Sequence, residues 1–197
     1  MDEKKNNIIF FLVLIHISIT TISNALVAIP ITFFDFKITW AAFVFPLVVV
    51  ATDLTVRLLG KKIAQKTITL SYPLAIVSSI LIIYLEGNFI SVSMRIGLAS
   101  ASAYALGMFI DIQAFQWIRE KYPYWWLPPA LSTVFSNIID SYVFFFAAFF
   151  NSEQVYMSDN WIEIAGTQSV LKIIIGLVFF LPAYGVLLNY FLRRIKK

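Results

Sequence analysis

Apolar residues in this chain recur in runs of about 20 rather than alternating with polar ones, and short polar connections separate the runs. Six runs are long enough, or nearly so, to cross the roughly 30 Å hydrocarbon layer of a membrane. They cover residues 8–29, 39–59, 67–85, 89–111, 127–150 and 166–192. A backbone crossing lipid has no water to bond, so each run is predicted to be an α-helix. The expectation is an all-α integral membrane protein, a single transmembrane domain over residues 1–197 with six spans. The connection at 112–126 mixes apolar and polar residues, including Phe115, Trp117 and Ile118. It is predicted to form a short interfacial helix before the fifth span.

Composition narrows the class further. Of the 197 residues 60% are hydrophobic and only 13% charged, with a mean hydropathy of +0.82. A soluble domain carries about 25% charged residues, so an ordinary water-soluble fold is excluded. The absence of cysteine removes disulfide scaffolds and Cys-type zinc sites. A lone histidine, His16, leaves little for a metal centre or a Ser/His/Asp triad. No metal and no cofactor are expected, and the chain is read as a non-enzyme.

The placement of the charges orients the spans. Lys4 and Lys5 precede the first; Arg57, Lys61, Lys62 and Lys66 close the second; Arg119 and Lys121 lie between the fourth and fifth; Arg193, Arg194, Lys196 and Lys197 follow the sixth. Twelve of the 15 basic residues thus fall on one side, and the other side holds Lys37 with Asp35, Glu86, Glu153, Asp159 and Glu163. By the positive-inside rule both termini are cytoplasmic, as an even number of spans requires. All five tryptophans fall near span ends, where aromatic belts form. Ser23, Asn24 and Ala25 resemble a signal-peptide cleavage site. The preceding run is longer than a signal peptide's apolar region, and cleavage would leave five spans with split termini, so the segment is read as a membrane helix.

Six ionisable residues lie inside spans, each costing at least about 2.5 kcal/mol to insert unless it has a partner or a purpose. By depth they form two sets. Asp53, Arg57 and Asp111 fall in the inner half; Arg95, Asp140 and Lys172 fall in the outer half. Asp53 and Arg57, four apart, share a helix face and are placed to pair within the helix, unless Arg57 extends to the cytoplasm or the two serve substrate. Asp111 has a capping or topological role as its alternative. Asn137 and Asp140, three apart on one face of the fifth span, offer donors and acceptors to a planar heterocycle. Their structural alternative is an ion pair of Asp140 with Arg95 or Lys172 that only holds helices together. Asn24, beside Ser23, and Gln168 add amide groups. His16 suits hydrogen-bonded packing, with proton relay as the alternative.

Small residues in the fourth span recur at spacing four on two ridges, Gly97, Ala101 and Ala105, and Ala99, Ala103 and Gly107. Such ridges let helices approach closely. Pro46 and Pro182 interrupt apolar runs and suit kinks that line a cavity.

Several of these segments together resemble one family. Residues 39–46 (Thr39, Trp40, Ala41, Ala42, Phe43, Val44, Phe45, Pro46) and 51–57 (Ala51 to Arg57, with Asp53) look like its signature. The resemblance continues through Arg95, 103–107, Asp111, 125–127, Ser132, Thr133, 137–140, Lys172 and 179–189, with Ser23 and Asn24 at the start. On these residues the chain resembles the queuosine-precursor transporters, also called the vitamin uptake transporter family. Ser141 stands where a threonine is common, and the hydroxyl is kept.

That resemblance implies import of 7-cyano-7-deazaguanine, with its 7-aminomethyl relative as a second cargo, across the bacterial cytoplasmic membrane for tRNA modification. It also implies a six-helix fold similar to the substrate-binding subunits of energy-coupling-factor importers. The expected partners are the small molecule and the bilayer, without direct nucleic-acid contact; a homo-oligomer stays open. In this reading Asp140 accepts the donor edge of the deazaguanine, with Asn137, Asn24 and Gln168 as amide partners. Phe43, Phe45 and Tyr104 are candidate stacking surfaces. Arg95 and Lys172 pair with Asp140 or keep it ionised, and Asp53, Arg57 and Asp111 serve as an inner gate or brace. The outer set carries a formal charge of +1, which suits an anion better than a neutral base. A carrier or binding subunit for another vitamin-like or anionic molecule is therefore the alternative.

Overall fold

A computed structural model describes residues 2–27, 30–33, 36–39, 41–44 and 46–195. Helix dominates: α1 (Asp2–Val27), α2 (Ala41–Val44), α3 (Pro46–Leu59), α4 (Lys61–Leu85), α5 (Ile90–Lys121), α6 (Leu127–Phe149), α7 (Val155–Ile175), a π-helical turn (Gly176–Phe180) and α8 (Leu181–Ile195). Between α1 and α2 the backbone forms a short antiparallel hairpin, β1 (Pro30–Phe33) with β2 (Phe36–Thr39), registered Pro30 to Thr39 and Phe33 to Phe36. Among the described residues five helical segments are long and apolar enough to cross a membrane: within α1, α4, α5, α6, and α7 running on into α8.

The second predicted span takes a different form. It is divided into α2 and the 14-residue α3, about 21 Å long at 1.5 Å per residue. Pro46 stands at the first position of α3, where a missing N–H costs no helical hydrogen bond. At the other end Gly60 has a φ of 93° and turns the chain directly into α4. A side chain there would be strained, since only glycine adopts this region freely.

The expected interfacial helix at 112–126 is not found. Helix α5 instead runs unbroken for 32 residues, about 48 Å, to Lys121. No helix breaker intervenes before Pro123, and a helix needs no apolar side chains once it leaves the lipid. Polar contacts clothe this extension: Lys61 bonds Gln113, Gln116 bonds Glu120 at 2.6 Å, and Lys121 lies 3.9 Å from the centre of the Trp117 ring.

The packing explains the small residues. At Gly97 a Cβ would fall 2.5 Å from Ile80 Cγ1 and 2.8 Å from Ile80 N, so α4 and α5 touch backbone to backbone. At Gly107 a Cβ would lie 3.3 Å from Asp140 Cβ, bringing α5 against the polar face of α6. Ala99, on the Gly107 ridge, packs among Phe145, Ala148 and Phe149 of α6. Facing outward are large apolar side chains such as Phe10, Leu81, Phe135, Phe146 and Phe179, the surface a bilayer would cover.

Candidate functional site

Helix α6 is organised inside out. Leu131, Phe135, Ile138, Tyr142, Phe146 and Phe150 are exposed, whereas Ser132, Thr133, Ser136, Asn137, Asp140 and Ser141 are buried. Six polar side chains at helical spacing therefore form a stripe about 13 Å long on the face turned into the bundle. Asp140 ends this stripe and pairs with Lys172 of α7, Nζ to Oδ2 2.7 Å, with the two side chains 8% and 17% exposed. Gln168, half-buried one turn before Lys172, shares that face of α7.

Asn137 is held in place by its own helix. Its Nδ2 donates to Thr133 O at 2.8 Å, while Oδ1 is buried without a hydrogen-bond partner. Ser141 Oγ is likewise buried and unpartnered, so the stripe presents unsatisfied oxygens beside an ion pair. Buried polar atoms are nearly always satisfied in proteins, and such exceptions suit a site that awaits a ligand.

The second set of charges assembles differently from the expectation. Asp53 of α3 faces Asp111 of α5, and both are almost wholly buried. Ser132 Oγ donates to Asp53 Oδ1 at 3.5 Å, and Ser132 and Ser136 both lie beside Asp111. Neither Asp111 oxygen completes a hydrogen bond. Among the described residues neither Asp53 nor Arg57 takes part in an ion pair, so the two do not pair within α3 in this conformation. A narrow cleft opens beside Asp53, lined by Pro46, Thr133, Gly176 and Tyr184 among others. Only about one water molecule fits within it.

Arg95 also takes an unexpected partner. Its guanidinium donates to Ala147 O and Phe150 O at the carbonyl end of α6, not to Asp140. A cation there satisfies orphan carbonyls and matches the negative end of the helix dipole. Tyr104 offers no open ring face: it is buried, and its hydroxyl pairs with His16 Nδ1 at 3.0 Å. That contact ties α5 to α1 through a buried His16. Phe43 is half-buried on α2, which packs against α1 and α7. Asn24 lies on α1 next to the buried Ser23, but its side chain lies outside the described residues, as does Phe45. Arg57 is half-buried and lines a separate groove with Trp125, Pro182, Gly185 and Asn189.

Residues 39–187 match the family model described as "Putative vitamin uptake transporter". The chain belongs to this family. It is 39% identical to the "Queuosine precursor transporter" of Escherichia coli (strain K12), over 95% of this chain and 89% of that protein. It is 33% identical to the "Probable queuosine precursor transporter" of Haemophilus influenzae, over 99% of this chain and 92% of that one. These relatives are named as transporters, not enzymes, and the long apolar helices make this member a multi-pass bacterial membrane protein that handles a small molecule. No solved structure matches the chain, and the likeness to energy-coupling-factor binding subunits has no support.

Three participants escaped the sequence reading as site residues. Ser136 was not singled out, and Ser132 and Tyr184 entered only through the family resemblance. The signal for the serines was present in the three-and-four spacing of hydroxyls through 132–141. Tyr184 carried no such signal.

Proposed function

We propose that this chain imports queuosine precursors, chiefly 7-cyano-7-deazaguanine with 7-aminomethyl-7-deazaguanine as a second cargo. Import would run across the cytoplasmic membrane, with both termini inside. The buried polar face of α6 carries this function. A deazaguanine presents a ring N–H and an exocyclic amine on one edge, which suits the carboxylate of Asp140 and the unpartnered Oδ1 of Asn137. Its carbonyl needs a donor, for which Lys172 and Gln168 are placed on α7. With Arg95 engaged at the end of α6, the set around Asp140 is a neutral pair rather than a cationic cluster. Without a second cation at Asp140, the set disfavours an organic anion and suits the uncharged 7-cyano-7-deazaguanine. Phe43 is the remaining described candidate for the ring face.

The test is uptake in a strain unable to make the precursor, scored by queuosine in its tRNA. Wild-type protein should restore the nucleoside and Asp140→Asn should not. Full restoration by Asp140→Asn would sink the carboxylate role. Purified protein should also bind 7-cyano-7-deazaguanine in preference to guanine and folate.

A further inference from the structure

We infer that Asp53 and Asp111 together hold one exchangeable proton, and that its release and rebinding couple substrate uptake to the proton gradient. The inference rests on the transport reading above and assigns a role to residues the substrate site does not use. Two carboxyl groups face each other from α3 and α5, almost wholly buried, and among the described residues no base is in ion-pair contact with either. Like charges so placed cannot both persist in an apolar interior, whereas one shared proton turns them into a hydrogen-bonded pair. Both oxygens of Asp111 are buried without a hydrogen-bond partner, and a proton shared with Asp53 would engage one of them.

A second observation comes from a different helix. Tyr184 of α8 is fully buried, its hydroxyl is also unpartnered, and it lines the same narrow cleft as Asp53. That cleft admits about one water, enough for a proton path and too little for a nucleobase. The surrounding charged groups are accounted for. Arg57 lies one turn below Asp53 on α3, and Arg119 of α5 donates to Val56 O at 3.2 Å. From α6 come only the hydroxyls of Ser132 and Ser136. On α4 Lys61 is engaged by Gln113, and on α1 His16 is engaged by Tyr104.

The location suits coupling. The carboxyl on α3 sits on the shortest of the major helices, between a proline start and the turn at Gly60. Ser132 and Ser136, beside the acids, continue along α6 to Asn137 and Asp140. Loss of the shared proton would push α3 from α5 and disturb the stripe that binds substrate.

The test uses purified protein in sodium-free liposomes with a trapped pH dye. An inward proton gradient should raise the initial uptake of labelled 7-cyano-7-deazaguanine several-fold, and adding substrate should acidify the lumen. Asp111→Asn should keep substrate counterflow but lose the response to the gradient, while Asp159→Asn, on the exposed surface of α7, should behave as wild type. Uptake indifferent to the gradient, or an Asp111→Asn variant that still responds, would overturn the coupling. A second readout needs no substrate. Infrared spectra of wild-type protein should show a protonated-carboxyl band at neutral pH that Asp53→Asn or Asp111→Asn removes; its absence in wild type overturns the proposal. Should that band appear while deazaguanine is neither bound nor exchanged, the shared proton stands and the substrate assignment fails.

Discussion

Replacing Lys172 by Met tests whether the pair at the end of the α6 stripe is held together by charge. At 2.7 Å and an effective dielectric constant of about 20, the two charges attract by about 6 kcal/mol. Removing both from water offsets more than half of this, which leaves a net coupling of about 2–3 kcal/mol. Lys172→Met leaves the buried Asp140 carboxylate without its counter-charge and should cost about 3 kcal/mol, and Asp140→Asn about 2 kcal/mol. The double variant removes both charges and should lose less than the sum by the coupling energy. The assay is reversible unfolding in mixed micelles for the four proteins of the cycle, with uptake measured in parallel. Additive losses would show that the pair contributes nothing to stability. A double variant that transports as well as wild type would refute a role for the Asp140 carboxylate in substrate recognition.

Two further outcomes follow from packing. Gly97→Ala places a methyl group 2.8 Å from backbone of α4 and should cost about 2–3 kcal/mol, more than Gly107→Ala, whose methyl meets Asp140 Cβ at 3.3 Å; thermal unfolding in detergent ranks the two, and the reverse order would contradict the helix contacts. Tyr104→Phe removes the hydroxyl bonded to His16 and should cost about 1–2 kcal/mol while leaving substrate affinity within a factor of two, because the ring is buried and its face is not open. A large loss of affinity with unchanged stability would restore the stacking role.

Much of this architecture is legible in the sequence because lipid is a demanding solvent. It requires about 20 apolar residues per crossing, so Asp53, Asp111, Asp140 and Lys172 stand out against their runs without any structural knowledge. Partner choice is less legible. The four-residue spacing of Asp53 and Arg57 makes an intrahelical pair sterically available, yet the approach of α5 decides that Asp53 meets Asp111 instead. Arg95 is long enough to reach the carbonyl end of α6 from α5. Hydropathy marks where a chain leaves lipid, not where its helix ends, which is why α5 ran past the expected boundary to Lys121. Serine and threonine are muted for another reason. They return their hydroxyls to carbonyls three or four residues back, as Ser136 does to Thr133 O, and so sit in apolar helices at little cost.

Those muted hydroxyls connect the two charged sets. Ser132 touches Asp53, Ser136 lies beside Asp111, and Asn137 and Asp140 follow one turn further on the same face. Gly107 lets α5 close on α6 at the level of Ser136 and Asp140, and Gly176 lets the π-helical turn close on Thr133, where a Cβ would meet Cγ2 at 2.8 Å. The polar stripe is thus flanked on both sides by close approaches, where a larger side chain would press on Asp140 from α5 or on Thr133 from the π-helical turn. With Arg95 withdrawn, its two ends differ in kind: a balanced Asp140–Lys172 pair at one, two acids without a base at the other. A neutral cargo suits the first and a proton the second. One helix face carries contacts to both, which is the route by which the proposed proton site would act on the proposed substrate site.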